Sequence, residues 1–105
     1  MKYKQEIVSQ YYTSCGLPVP VFEYRFHVVR KWRIDIAFPE NKLAIEVQGG
    51  IFINGRHSRG AALLKEWEKL NTLAEMGWRV MYCQPQDVCL NDFVMQIKNA
   101  LALPG

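Results

Sequence analysis

Two short segments in the middle of the chain alternate large apolar side chains with other residues, and this period of two constrains the fold most. The apolar positions are Trp32, Ile34, Ile36 and Phe38 in the first segment and Leu43, Ile45 and Val47 in the second. Such alternation is typical of β-strands that cover a core with one face. The residues between the segments, 39–42, are rich in turn formers, and their number favours an antiparallel hairpin.

The predicted hairpin brings two carboxylates together on the face opposite the apolar side chains. If Phe38 pairs with Leu43, Asp35 lies directly opposite Glu46, and Gln48 shares their face. Directly opposed residues have Cβ atoms about 5 Å apart, and like charges at that spacing are destabilising without a partner. We therefore expect a positive charge between them. A divalent cation would supply it, because Mg²⁺ takes one or two carboxylates together with water and phosphate oxygens.

Basic residues flank this acidic centre on both sides in the sequence. They are Arg25, His27, Arg30, Lys31 and Arg33 before Asp35, and Arg56, His57 and Arg59 after Glu46. The net charge of +3 is mild and permits a nucleic-acid partner without requiring one. With half of its residues hydrophobic and 22% charged, the chain of 105 residues is predicted to form one globular domain over residues 1–105.

The cysteines and the apolar runs bear on the cellular compartment. Cys15, Cys83 and Cys89 are odd in number and have no CxxC or Cys/His spacing, so neither a disulfide framework nor a structural zinc site is indicated. The N-terminus lacks the apolar region of a signal peptide, and no apolar run approaches the length that spans a membrane. We therefore expect reduced thiols, a cytoplasmic location and no membrane partner.

The remaining patterns predict the element order α-β-β-β-α-β-α. Helices are expected at residues 3–15, 61–76 and 86–103, and further strands at 22–29 and 78–84. Gly16 and Gly77 suit the position just after the end of the first two helices. The nearly continuous hydrophobicity of 78–84 predicts an inner strand with both faces covered. The fold class is therefore α/β (α+β), with a mixed central sheet flanked by helices.

Two basic groups are candidates for contact with an anion. In the strand at 22–29, one predicted face carries Arg25 and His27 and would border the carboxylates, where an arginine fork can hold a phosphate. Exposed cations on an open sheet face are an equally good interpretation. The second group lies near the N-terminus of the helix at 61–76, where backbone N–H groups attract anions. Its members are Arg56, His57 and Arg59.

The helix at 61–76 has an apolar stripe that predicts its buried side. The stripe is formed by Leu63, Leu64, Trp67, Leu70, Leu73 and Ala74. Glu66 and Lys69 lie three residues apart on the other side, as a solvated ion pair would. For most polar residues of this helix the solvated face is the preferred interpretation.

Several motifs together resemble the PD-(D/E)XK nuclease superfamily. The central one is Asp35, ten residues, and then Glu-x-Gln at 46–48, where the superfamily has Glu-x-Lys. The accompanying segments are EYRF at 23–26, KWRIDIAFPENKLAIEVQGG at 31–50, GRHSRG at 55–60, EKLN at 68–71 and GWRV at 77–80. The chain is similar to small phage and prophage endonuclease domains related to virus-type replication-repair (VRR-NUC) and very-short-patch-repair-like nucleases. The resemblance covers residues 23–80 and implies a restriction-endonuclease-like αβββαβ core followed by one more helix.

The resemblance also implies an activity and a set of site residues. Asp35 and Glu46, with the carbonyl of Val47, would bind Mg²⁺ or Mn²⁺ for the hydrolysis of phosphodiester bonds in duplex or branched DNA. Gln48 stands where the family has its lysine, and Gln cannot serve as a base near neutral pH. In some relatives a lysine reaches in from the following helix, and Lys69 is the candidate for that role.

Further expectations concern an accessory residue, the alternatives to an active nuclease and the number of copies. In many members a glutamate of the first helix joins the metal site, and Glu6 is that accessory candidate, although a solvated glutamate favoured by the helix dipole explains it as well. A DNA-binding module with a decayed centre is the alternative to an active nuclease, and an unrelated sheet domain with solvated carboxylates is the plainest interpretation. Symmetric cutting of a junction would require two copies, so a homodimer is an alternative to the monomer.

Overall fold

The element order of the protein is the one expected from the sequence. A computed structural model describes residues 3–49 and 59–103, with only the backbone given for Arg59. The elements are α1 (Gln5–Ser14), β1 (Val21–Tyr24), β2 (Ile34–Phe38), β3 (Leu43–Val47), α2 (Arg59–Glu75), β4 (Arg79–Cys83) and α3 (Asn91–Ala102). Short 3-10 turns at Pro39–Asn41 and Pro85–Asp87 precede β3 and α3, so the last helix begins later than the predicted residue 86.

The strands form a mixed four-stranded sheet in the order β1-β2-β3-β4. The pairs β1/β2 and β2/β3 are antiparallel, and β3/β4 is parallel. Phe38 pairs with Leu43, which confirms the predicted hairpin register. Within the described residues none of the helices is both long and apolar enough to cross a membrane.

The predicted inner position of β4 is wrong, because in the described sheet β4 is the last strand and pairs with β3. Its hydrophobic run has a different physical reason. Val80 packs against one apolar cluster, whereas Met81 and Cys83 pack against the other. The edge strand therefore has both faces partly covered, which demands apolar residues at successive positions.

Helices cover both faces of the sheet. The first cluster joins α1 and α3 to the sheet residues Ile36, Phe38, Leu43 and Ile45. The second cluster joins Leu73 of α2 to the small residues of the paired positions Ala37 and Ala44. The face that also carries Asp35 and Glu46 is therefore covered by α2.

Two predicted faces differ from the structure. Trp32 and Ile34 pack with the second cluster, so the predicted alternation over 32–38 holds only from Ile36 onward. The first predicted strand ends at Tyr24 and does not continue to residue 29. Within β1 Glu23 has a φ of 51°, outside the extended region, and beyond the strand Val28 is 99% exposed.

The predicted buried stripe of α2 is also only partly correct. Leu73 is fully buried and Leu70 is half-buried. The other members are exposed: Leu63, Leu64, Trp67 and Ala74. Leu70 and Leu73 both lie in the second half of α2, so this half makes the described packing against the sheet.

Glycines end the first two helices as predicted. Gly16 and Gly77 have φ values of +88° and +86°. After α2, the N–H of Gly77 donates to the carbonyl of Ala74 at 3.1 Å and the N–H of Trp78 donates to that of Leu73 at 2.9 Å. This pairing satisfies carbonyls that the helix leaves free at its end, and it needs a residue that tolerates the left-handed region.

We expect Gly77→Ala to lower the free energy of unfolding by about 1–2 kcal/mol, because an alanine in the left-handed region clashes with its own carbonyl. A Cβ at this position meets only Lys42 atoms at 3.8 Å, so the loss comes from the backbone. Gly60→Ala is the matched control, since a Cβ there meets nothing within 4 Å and alanine favours the helix. Urea unfolding of both variants measures the difference, and equal stabilities would contradict the assignment.

Candidate functional site

The candidate site lies where the antiparallel ladder between β2 and β3 ends. The last described pair toward this end is Ile36 with Ile45, and one further step in the same register places Asp35 opposite Glu46. Here side chains bond to the backbone of the facing strand. The N–H of Asp35 donates to Oε2 of Glu46 at 3.2 Å, and the N–H of Val47 donates to Oδ2 of Asp35 at 2.7 Å. Each carboxylate is therefore anchored to the strand that carries the other.

A lysine from α2 meets the more deeply buried carboxylate. Glu46 is 4% exposed and Lys69 is 9% exposed. The ammonium group of Lys69 donates a hydrogen bond to Oε1 of Glu46 and forms an ion pair with it. Lys69 thus lies on the inner side of α2, and the solvated outer face predicted by periodicity does not hold for it.

Burial raises the pKa of the Glu46 carboxyl above its ordinary value, because the interior favours the neutral form. The hydrogen bond and charge of Lys69 oppose this rise, whereas the charge of Asp35 adds to it. The positive charge expected beside the two carboxylates is therefore present in part within the chain itself. The ammonium group of Lys69 supplies this positive charge at Glu46.

The oxygen donors of the site are of the kind that Mg²⁺ and Mn²⁺ bind. A carboxylate has about four lone-pair directions, so Asp35 and Glu46 can accept the bonds described above and still face a cation. No group of three or more His, Cys, Asp or Glu suited to a metal occurs among the described residues. An ion at this site would therefore draw on these two carboxylates, a backbone carbonyl such as that of Val47, and oxygens of water or phosphate.

Other predicted site residues lie around the pair in different ways. Gln48 is exposed, and its N–H donates to the carbonyl of Cys83 at 2.8 Å, which extends the pairing of β3 with β4. Glu6 is exposed in the first turn of α1, the helix that packs on the opposite sheet face. Arg25 is exposed beyond the end of β1, so the strand face that would have aligned it with the carboxylates is absent at that position.

The remaining basic candidates fall into two groups. His27 is half-buried, and its Nδ1 accepts hydrogen bonds from the N–H groups of Val29 and Arg30 at 3.1 and 3.0 Å. Its ring therefore belongs to a turn, not to the sheet face. The predictions for Arg56 and His57 fall outside the described residues. For Arg59 the structure gives only its backbone position at the start of α2.

Residues that sequence patterns did not single out also surround the site. Tyr82 is the register partner of Glu46 on the parallel strand β4 and so shares its face. Burial raises the pKa of Tyr82, and the charges of Glu66 and Glu46 raise it further. The pairing of β3 with β4 connects segments that are distant in sequence, and no local pattern encodes it. Glu66, which helix periodicity predicts on a solvated side of α2, is half-buried.

Tyr3 approaches the carboxylates from the other side of the sheet, where its ring contacts Phe22 at a centroid distance of 6.4 Å. Burial raises the pKa of Tyr3, and the charges of Asp35 and Glu23 add to the rise. Phe22 pairs with Ile36 and Tyr24 with Ile34, so Glu23 and Asp35 lie between the same two pairs of the β1/β2 ladder. Among the described residues the buried Tyr3 hydroxyl has no hydrogen-bond partner.

The chain is similar to two proteins of Mycobacterium tuberculosis. These are Uncharacterized protein MT2308 of strain CDC 1551 / Oshkosh and Uncharacterized protein Rv2248 of strain ATCC 25618 / H37Rv. Each is 31% identical over 75 residues, which make up 70% of this chain and 26% of the relative. The chain thus spans about a quarter of the length of these relatives, and their names state no activity. No protein-family model and no solved structure matches the chain.

We expect Lys69→Met to lower the free energy of unfolding by about 3–5 kcal/mol near neutral pH, because it leaves Glu46 buried without a cation. A carboxyl whose pKa is raised by folding contributes stability at low pH and loses it as pH rises through the folded-state pKa. In Lys69→Met the pKa of Glu46 rises further. The variant should therefore lose stability over a wider range above pH 4.5, the ordinary glutamate value.

Urea unfolding between pH 4 and pH 8 measures this effect. Lys65→Met is the matched control, because Lys65 is exposed one turn earlier on the same helix. Adding Glu46→Gln to Lys69→Met should restore most of the lost stability and flatten its pH dependence, since the buried charge is then gone. A Lys69→Met variant as stable as the parent at pH 8 would contradict the buried ion pair.

Proposed function

We propose that the chain is a metal-dependent DNA endonuclease domain of the PD-(D/E)XK type. The proposal depends above all on one observation: Asp35 and Glu46 hydrogen-bond to each other's strands at the end of the β2/β3 ladder, with Lys69 on Glu46. Two carboxylates and one ammonium group in a partly buried site fit the handling of a phosphodiester, which needs a cation and a hydrogen-bond donor.

The arrangement of the fold agrees with the family that the motifs resemble. The order α-β-β-β-α-β and a mixed sheet covered on both faces are what a restriction-endonuclease-like core implies. The positions of Asp35 on the second strand and Glu46 on the third support the resemblance to the motif. An origin in a phage or prophage follows from the same resemblance and belongs to the proposal.

In this mechanism the chain binds and orients the reacting groups. Asp35 and Glu46 would hold Mg²⁺ or Mn²⁺ through carboxylate oxygens, and the carbonyl of Val47 would assist them. When bound, the metal supplies Lewis acidity toward a water and neutralises negative charge that develops on the phosphate. The reciprocal hydrogen bonds keep both carboxylates oriented, so the site needs little rearrangement when substrate arrives.

Lys69 takes the place of the lysine that the motif lacks at Gln48. Its ammonium group has three donors, of which one is used by Oε1 of Glu46. A remaining donor can reach a non-bridging phosphate oxygen or the attacking water and stabilise the charge there. Gln48, exposed at the end of β3, can orient a water by hydrogen bonding but cannot take its proton near neutral pH.

The proposed substrate is branched or duplex DNA recognised by shape and backbone. A chain of 105 residues offers little surface for reading base edges, and phosphate contacts carry no sequence information. The proposed setting is the cytoplasm of a bacterium or of a phage-infected host. Symmetric cutting of a four-way junction would require two copies, and a native mass measurement of the free chain decides between monomer and homodimer.

A second candidate function is a DNA-binding module that has lost catalysis. The observation that favours it is Gln48 in place of the motif lysine, while Lys69 is engaged by Glu46. Such a module would keep salt-sensitive binding through its cations and would not respond to metal removal. Both functions use the same fold, and cutting distinguishes them.

We expect the purified protein to cut labelled duplex, flap or four-way-junction DNA with Mg²⁺ or Mn²⁺ and to stop in EDTA. Asp35→Asn and Glu46→Gln should each lower the cutting rate by about 100-fold or more, because each removes a charged metal ligand. Lys69→Ala should lower it as well, whereas Gln48→Lys should retain or raise it. Single-turnover cutting rates at saturating protein are the measurement.

Glu40→Gln is the matched control, because Glu40 is an exposed acid on the hairpin turn. It should cut like the parent. Binding without metal-dependent cutting would favour the DNA-binding module, and the absence of both would favour the unrelated sheet domain. Unchanged rates in Lys69→Ala, in a variant whose folding is verified by circular dichroism, would remove Lys69 from the mechanism.

A further inference from the structure

Two consecutive valines stand almost free of the protein at the connection between β1 and β2. Val28 is 99% exposed and Val29 is 75% exposed. A single exposed apolar residue is ordinary on a protein surface. Two neighbouring exposed valines have no role in the core, and polar residues precede and follow them in the turn.

The turn that carries these valines is built to hold its shape. Nδ1 of His27 accepts hydrogen bonds from the N–H groups of Val29 and Arg30, at 3.1 and 3.0 Å. The His27 ring meets Trp32 edge-on at a centroid distance of 5.8 Å, and Trp32 stacks on Phe26 at 6.0 Å with an interplanar angle of 9°. The backbone N–H of Val29 is therefore held by His27, Val28 lies between these two residues, and both valine side chains are exposed.

A second set of contacts ties the turn to the candidate site. The Arg30 guanidinium lies 3.9 Å from the centroid of the Trp32 ring, and it forms an ion pair with Glu68 of α2. Glu68 directly precedes Lys69, whose ammonium group meets Glu46. The same helix therefore supplies the lysine of the site and contacts the valine turn through an exposed ion pair.

The charge around the valines indicates a polyanionic partner. The residues between Tyr24 and Ile34 include no acid. The exposed cations in this stretch are Arg25, Arg30, Lys31 and Arg33. Arginine and lysine on both sides of an apolar tip match the chemistry of DNA, whose phosphates flank sugars and base edges with apolar surface.

We propose that the turn at 27–31 is an apolar wedge for DNA, with Val28 and Val29 entering at a step where base stacking is already interrupted. This inference deepens the proposed function and rests on it for the identity of the substrate. Opening a stacked step in intact duplex costs free energy, and that cost is least where stacking is already broken. The wedge therefore selects DNA with a junction, a flap or a mismatch, while Arg25, Lys31 and Arg33 hold neighbouring phosphates and Arg30 stays engaged with Glu68 and Trp32.

Binding in EDTA tests the wedge without cutting. Fluorescence anisotropy compares a labelled four-way junction with an intact duplex of the same length. The paired change Val28→Ser and Val29→Ser should weaken junction binding by about 10-fold and change duplex binding by less than about 2-fold, since only the junction admits the valines. The salt dependence of binding should stay unchanged, because no phosphate contact is lost.

Two controls separate the wedge from general effects. Val19→Ser is the matched control, because Val19 is 69% exposed between α1 and β1 and should bind both DNAs like the parent. Lys31→Gln with Arg33→Gln should weaken both DNAs and reduce the salt dependence, since it removes phosphate contacts. Circular dichroism confirms that each variant is folded.

Each outcome decides for or against the wedge. The wedge is overturned if the valine variant loses binding equally on junction and duplex, or if it loses binding on neither. It is also overturned if the parent does not bind DNA. Loss of binding to anionic phosphatidylglycerol vesicles in the valine variant, with DNA binding unchanged, overturns it in favour of a membrane surface. Valine-dependent junction binding without cutting in Mg²⁺ or Mn²⁺ supports the wedge and removes the nuclease. If the parent cuts DNA and the valine variant keeps both the cutting and the junction binding, the nuclease is supported and the wedge is overturned.

Discussion

The buried contact between Glu46 and Lys69 is the interaction on which the rest of the site depends. A carboxylate with 4% exposure is costly unless a partner and hydrogen bonds replace water, and Lys69 together with the N–H of Asp35 does so. This contact also binds α2 to the third strand. Lys69 neutralises the charge of Glu46, and the same ion pair holds α2 against β3.

The sheet is shaped so that α2 can lie this close. Ala37 and Ala44 are paired and fully buried beneath the helix, and their small side chains leave room for Leu73. At the far end, the ammonium group of Lys42 donates to the carbonyl of Met76 at 3.0 Å, and the N–H of Arg79 donates to the carbonyl of Lys42 at 3.0 Å. The hairpin turn therefore fixes the exit of α2 and the start of β4. The contacts that pack α2 on the sheet therefore also position the residues of the site.

What the sequence could predict depends on how local the determining contacts are. The pairing of Phe38 with Leu43 followed from alternation and turn length, and the ends of two helices followed from Gly16 and Gly77, because each of these signals acts within a few residues. The edge position of β4 and the neighbourhood of Tyr82 arise from parallel pairing across more than 30 residues, which no local pattern encodes. Lys69 was placed near the carboxylates only by a motif resemblance, since helix periodicity put it on the solvated side. The exposed side chains of Leu63, Leu64 and Trp67 show the limit of periodicity, which assigns a face of a helix but not the part of that face that is covered.

Binding of Mn²⁺ to the free and DNA-bound protein tests the shared metal site most directly. Electron paramagnetic resonance reports free Mn²⁺, and the signal falls when the ion is bound. The account predicts that the protein lowers the free Mn²⁺ signal more when DNA is present than when it is absent, under conditions in which the DNA is not cut. It predicts that Asp35→Asn and Glu46→Gln each abolish this loss of signal, whereas Glu40→Gln does not. A parent protein that leaves the Mn²⁺ signal unchanged with DNA, or carboxylate variants that bind Mn²⁺ like the parent, would contradict a metal shared by Asp35 and Glu46.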